Sequence, residues 1–182
     1  MSRSLSVATG RRDACVLYNP VMIDPPPAPF VPPAGFKLQS GGPHDTFAGV
    51  NGPLYRKRDG DFYLLGLRVE RRHCNPMGIC HGGMLMTLID MALVLGSNYQ
   101  ARIGRFLPTI NLSADFLAPA QEGAWLEART VVLRVARTTV FAQCIVTADG
   151  TRVARGSGVF KIGRPLPASA IAAATAGDAA ST

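Results

Sequence analysis

Residues 82–100, GGMLMTLIDMALVLGSNYQ, carry one charged side chain, Asp90, in nineteen positions. Leu, Met and Ala dominate the segment and favour a helix. Apolar residues fall on every side of that helix, so it is expected to be buried nearly all round. Other elements must therefore enclose it, and the flanking sequence offers strands. Leu54 to Arg58 and Phe62 to Val69 flank Asp59-Gly60, and Phe141 to Ala148 and Thr151 to Ile162 flank Asp149-Gly150. Asp-Gly between two apolar runs predicts a two-residue hairpin turn, because Gly tolerates positive φ. Val140, Ala142, Cys144 and Val146 share one face of their strand. Ala154, Gly156, Gly158, Phe160 and Ile162 share one face of the next. Thr109 to Leu117 and Trp125 to Val135 also read as strands. The order is strand, strand, long helix, four strands. The economical fold is α+β, one long buried helix enclosed by an antiparallel sheet.

The ends of the chain lack such patterns. Asp24-Pro25-Pro26-Pro27 and Val31-Pro32-Pro33 deny a helix its donors, so residues 1–35 are expected to be a Pro-rich arm. Residues 166–182 are Ala-rich and end in small polar residues, as a frayed tail does. The domain is then 36–165, long enough to bury a core without disulfides. Cys15, Cys74, Cys80 and Cys144 form no disulfide-scaffold pattern. His73-Cys74 and Cys80-His81 invite a metal reading, but Cys-x5-Cys is not zinc-knuckle spacing and no second pair follows, so no metal is expected. The first twenty residues lack a continuous apolar stretch before a cleavage site, and no segment is apolar for long enough to cross a membrane. A cytoplasmic location is the default.

The net charge of +7 is carried almost wholly by Arg, since Lys37, Lys57 and Lys161 are the only Lys residues. Arg suits a phosphorylated ligand, a nucleic acid or an acidic surface. The basic residues are spread along the chain, as a solvated surface would have them. A nucleic-acid role is suggested only by the charge and the Arg71-Arg72-His73 cluster, and no DNA- or RNA-reading motif accompanies them, so no nucleic-acid partner is expected.

Chemistry concentrates between Asn75 and Asp90. Gly82 and Gly83 open the helix, where backbone N–H groups lack intrahelical partners and the helix dipole is positive. Glycine lets a ligand approach that backbone, and the helix start is a ready hole for an oxyanion. A loop that merely needs glycines to turn would look the same. Asp90, a carboxylate in an apolar helix, is costly unless paired or used. It either pairs with an Arg such as Arg102 or Arg105, or does chemistry. His81, just before the helix, is a base, a ligand or, preferably, a structural residue that holds the Gly-Gly loop. Asn75 can orient a carbonyl or a water through its amide, or simply form a turn before Pro76.

The run Asn-x-x-Gly-x-x-His-Gly-Gly over residues 75–83, with Asp90 nine residues after His81, resembles the hotdog-fold acyl-CoA thioesterases in their PaaI-like, phenylacetyl-CoA thioesterase-type branch. The segments 64–70, 108–119 and 153–160 are similar to the strands of that family, and the likeness covers about residues 36–162. The resemblance implies a hotdog fold, with a curved antiparallel sheet of about five to six strands around the helix. It implies hydrolysis of an acyl-CoA, without a metal or redox cofactor, with Asp90 as nucleophile or general base. Gly82 would supply the N–H that polarises the thioester carbonyl, and Asn75 would match the family's Asn. Thr109 would match a hydroxyl residue, Ser in several relatives, that helps to position water. Contacts to the CoA moiety fall to Arg134, Arg137 and Thr138. Relatives pair their helices across a two-fold axis, so a homodimer or a dimer-of-dimers tetramer is implied. Two other readings compete. One is a non-catalytic acyl-CoA-binding module, which would not need Asp90. The other is a dehydratase or hydratase on the same fold, whose His-containing signatures are not apparent here.

Overall fold

The computed structural model describes residues 30–39 and 46–167. Cys15, most of the expected arm and the tail beyond residue 167 lie outside these. From Pro32 onward the described residues form one compact unit. Its elements, in chain order, are β1 (Lys37–Leu38), α1 (Phe47–Asn51), β2 (Leu54–Asp59), β3 (Phe62–Arg68), a single 3₁₀ turn (Arg71–His73), α2 (Gly82–Gln100), β4 (Thr109–Phe116), β5 (Trp125–Val135), β6 (Thr139–Ala148) and β7 (Thr151–Lys161). The seven strands make one sheet in the order β1-β2-β3-β5-β6-β7-β4, and every pairing is antiparallel. The seventh strand exceeds the expected range because β1 is only two residues long and carries no periodicity to read. No helix among the described residues is long and apolar enough to cross a membrane.

Strands β5, β6 and β7 turn alternate residues toward α2. Val140, Ala142, Cys144 and Val146 of β6 are buried, as their spacing requires, and so are Ala154 and Phe160 of β7. Leu88, Ile89 and Leu93 of α2 are fully buried against them, each contributing about 2 kcal/mol of burial. Contact is close enough to dictate glycine. A Cβ at Gly156 would come within 2.5 Å of Ile89 Cγ2. The β6–β7 hairpin turns on Asp149 and Gly150, at φ 46° and 86°, with Ala148 opposite Thr151. The first hairpin differs from expectation by one position. Asp59 pairs with Phe62, so the turn is Gly60-Asp61, not Asp59-Gly60, and Gly60 takes the positive φ at the first turn position.

The span of α2 agrees with the sequence, but its burial does not. Met84, Leu85, Leu88, Ile89, Ala92, Leu93, Gly96 and Ser97 are buried. Met86, Thr87, Asp90, Met91 and Val94 form a second, half-buried stripe at the margin of the core. The expectation of burial nearly all round thus fails, and Asp90 is half-buried rather than enclosed.

Candidate active site

The segment that leads into α2 is built from local bonds. Asn75 Oδ1 accepts from Met77 N–H at 2.9 Å and from Ile79 N–H at 3.4 Å, the side-chain turn expected of an Asn before Pro. Gly78 follows at φ 76°. His81 N–H donates to the His73 carbonyl at 2.8 Å and Cys80 N–H to the Ala120 carbonyl at 2.8 Å. These two bonds pin the segment to the 3₁₀ turn and to the loop before β5.

His81 is the N-cap of α2, and its Nδ1 accepts from Gly83 N–H at 2.9 Å. Its carbonyl accepts from Met84 N–H at 2.8 Å and Leu85 N–H at 3.2 Å. One residue therefore satisfies three of the first-turn donors. The Gly82 N–H is left without a protein acceptor among the described residues. It points from the positive end of a nineteen-residue helix. The Phe116 ring lies over Gly82, with Cζ 3.2 Å from where a Cβ would stand. Any larger residue at 82 must displace that ring.

Two turns further along α2, Thr109 Oγ1 donates to Asp90 Oδ1 at 2.7 Å. Thr109 begins β4, and the β4–β7 register slips between Thr109 and Asn111. That bulge re-aims the strand end at the helix. Asp90 has no ion pair among the described residues, so neither Arg102 nor Arg105 balances it. Arg105 instead donates to the Gly163 carbonyl at 3.1 Å.

Asn75, His81 and Gly82 thus gather at the N-terminal end of α2, and Asp90 with Thr109 at its middle. Arg134, Arg137 and Thr138 are exposed at the β5–β6 turn. That turn lies toward the other end of the helix, because Val132 N–H donates to the side chain of Gln100, the last residue of α2, at 2.6 Å. The Arg71-Arg72-His73 cluster has a structural use that sequence reading missed. Arg72 pairs with Glu70 at 2.9 Å and donates to the Val50 carbonyl at 2.7 Å and to the Gly52 carbonyl. Arg71 lies 3.5 Å from Glu122. His73 is buried, and its imidazole is held below its ordinary pKa, by burial first and then by Arg72. The proximity of Phe116 to Gly82 is also not visible in the pattern, since β4 reads only as an alternating strand.

Residues 77–155 match the family model of the thioesterase superfamily. The match includes Gly82, Asp90 and Thr109 and begins two residues after Asn75. A putative esterase of Pseudomonas aeruginosa is 33% identical over 112 residues, which are 61% of this chain and 84% of that protein. Acyl-coenzyme A thioesterase 13 of Mus musculus is 26% identical over 92 residues, covering 50% of this chain and 65% of that protein. Among solved structures, the phenylacetic acid degradation protein PaaI of Thermus thermophilus aligns with a TM-score of 0.56 at 26% identity, over 64% of this chain and 97% of that chain.

Proposed function

The chain belongs to the thioesterase superfamily, in its hotdog-fold, PaaI-like branch, and from that premise we propose that it hydrolyses acyl-CoA thioesters to the free acid and CoA. The observation that carries the proposal is the Gly82 N–H. It is left without an acceptor at a helix N-terminus, where a developing oxyanion is best stabilised. The mouse relative, by its name an acyl-coenzyme A thioesterase, supports the same substrate class.

In this reading the thioester oxygen accepts from Gly82 N–H, and the Asn75 amide nitrogen, whose oxygen partner is engaged in the turn, donates to substrate or water. Asp90 either takes a proton from the attacking water or attacks the carbonyl itself to form an anhydride that water then opens. Both routes consume one water and expel the CoA thiolate. The thioester is already activated, so neither route calls for a metal or redox cofactor. Thr109 holds the carboxylate in position. Thr109→Val removes that bond at nearly constant size. It is expected to lower kcat by about 10-fold, with Thr109→Ser restoring most of it. Equal activity in the Val and Ser variants would contradict the role.

One protomer cannot complete this site. Gly82 and Asp90 are eight residues apart, about 12 Å along the helix axis, whereas reacting atoms must approach to about 3–3.5 Å. Two antiparallel helices related by a two-fold axis would set Asp90 of one subunit beside Gly82 of the other. The half-buried stripe of α2 supports that pairing, as does β4, an edge strand bonded only to β7, with Ile110 60% and Phe116 54% exposed. In such a dimer the exposed Arg134, Arg137 and Thr138 are candidates to hold the phosphates of CoA.

The test is a panel of aromatic, short-chain and long-chain acyl-CoAs, assayed for free thiol with a chelator present. Turnover of at least one member above background is expected. Binding of acyl-CoA with no thiol release across the panel would replace hydrolysis by the binding-module reading.

A further inference from the structure

Cys74 and Cys80 face each other across the base of the loop that holds Asn75, and thioester hydrolysis uses neither thiol. They form an isolated antiparallel bridge. It is bracketed by two backbone bonds, His81 N–H to the His73 carbonyl at 2.8 Å and Asn75 N–H to the Ile79 carbonyl at 2.9 Å. The two cysteines therefore occupy a non-hydrogen-bonded site of the ladder. At such sites the Cα atoms lie about 4.5 Å apart and the side chains share a face. A disulfide needs Cα atoms about 4.4–6.8 Å apart. The Cβ atoms must close by roughly 1 Å or less to reach disulfide spacing.

The surroundings permit that closure. Both thiols are free, and both sit on the core side of the loop, Cys80 inside the core cluster and Cys74 packed against it. Each sulfur makes only a weak bond, Cys74 to the Glu70 carbonyl at 3.4 Å and Cys80 to the His81 carbonyl at 3.9 Å. Rotation about each Cα–Cβ bond releases them. Burial, and then the nearby Cys74, push the Cys80 thiol up to about 12.

We infer that Cys74 and Cys80 are an oxidisable dithiol, a modification site that a low-molecular-weight disulfide converts to an intramolecular bridge across Asn75–Ile79. Cys74, the more exposed thiol, loses its proton to solvent and attacks one sulfur of R–S–S–R. That bond breaks, one R–S⁻ leaves with the electron pair, and Cys74–S–S–R forms. Cys80 then loses its proton and attacks Cys74 Sγ, and the second R–S⁻ leaves. The two protein thiols have lost two electrons, and R–S–S–R has become two R–S⁻, which take up the two protons. Both cysteines are held as thiols at neutral pH, so the reaction is slow there and quickens as pH rises. The ladder register is already that of the bridged loop. Bridging therefore fixes His81 and Gly82 where they stand and does not move them.

The full chain is incubated with excess oxidised glutathione at pH about 8.5, below the raised thiol value, so that thiolate is scarce but replenished. It is then unfolded, alkylated and digested with trypsin. No Lys or Arg separates His73 from Arg102, so both cysteines remain on one peptide. That peptide is expected to resist alkylation and to be about 2 Da lighter than its reduced form. Cyanogen bromide cleavage after Met77, which lies between the two cysteines, should leave two fragments joined until reductant is added. The oxidised protein should unfold roughly 5 °C higher. Cys74→Ser, at a half-buried position, should abolish both the linkage and the shift. Double alkylation of the peptide after prolonged exposure would overturn the inference. So would a persistent glutathione adduct on Cys74 with Cys80 alkylated, or a bridge from Cys74 to Cys15.

Discussion

Asp90→Asn is expected to lower kcat by about 10²–10⁴-fold and to leave the protein folded and able to bind acyl-CoA. The substitution preserves side-chain volume, and Thr109 Oγ1 can still donate to the remaining Oδ1. No cation is orphaned, because Asp90 pairs with none among the described residues. The carboxylate is half-buried, so neutralising it does not open a cavity or strand a buried charge. Steady-state thiol release, thermal unfolding and acyl-CoA binding, measured on one preparation, separate the two roles Asp90 can have. Loss of Tm with unchanged activity per folded molecule would make Asp90 a structural residue and remove it from the chemistry.

Gly82→Pro tests the other half of the site. Gly82 is the first helical residue, and Pro is welcome there because its missing N–H would have no helical partner. His81 already holds the extended conformation that a following Pro demands, with φ −63° and ψ 138°. The substitution therefore deletes one N–H and adds ring carbons, chiefly against Phe116. Gly82→Ala adds a Cβ at the same point and keeps the N–H, which isolates the steric share of the effect. The Pro variant is expected to turn over about 10²–10³-fold more slowly than the Ala variant, with α2 intact by circular dichroism. Equal rates for the two would show that the Gly82 N–H does not touch the reacting oxygen.

Much of this architecture is legible because local signals agree with the fold. Gly82 to Gln100 reads as a helix from composition and period, and Trp125 to Val135 as a strand from alternation. The Asp149-Gly150 turn follows from two residues that tolerate positive φ. Other features depend on partners that a linear pattern does not contain. At Asp59-Gly60 the ladder runs one residue further than the composition suggests, because the pairing of Asp59 with Phe62, not the dipeptide, sets the turn. The two residues of β1 and the five of α1 are too short for any period to emerge. Asp90 stands out as a charge in an apolar helix, but its half-exposure does not, since the sequence does not show which side of the helix the sheet covers. Thr109 is marked by the family resemblance alone. The β-bulge that turns it onto Asp90 leaves no mark in the sequence. A structural role for His81 is readable from its place before the helix, and the cap shows how it works: by satisfying its neighbours it leaves Gly82 as the spare donor.

The central claim is that one active site takes its oxyanion donor from one subunit and its carboxylate from another. Asp90→Asn and Gly82→Pro, each inactive as a homodimer, are mixed under conditions in which exchange of differently tagged subunits is demonstrated. If the two groups act across the interface, each mixed dimer contains one site with both Asp90 and Gly82 intact. About half the molecules at equal mixing are mixed dimers, each with one site of two, so activity should recover toward roughly a quarter of wild type. No recovery despite demonstrated exchange, or full wild-type activity from a monomer, would contradict the shared site.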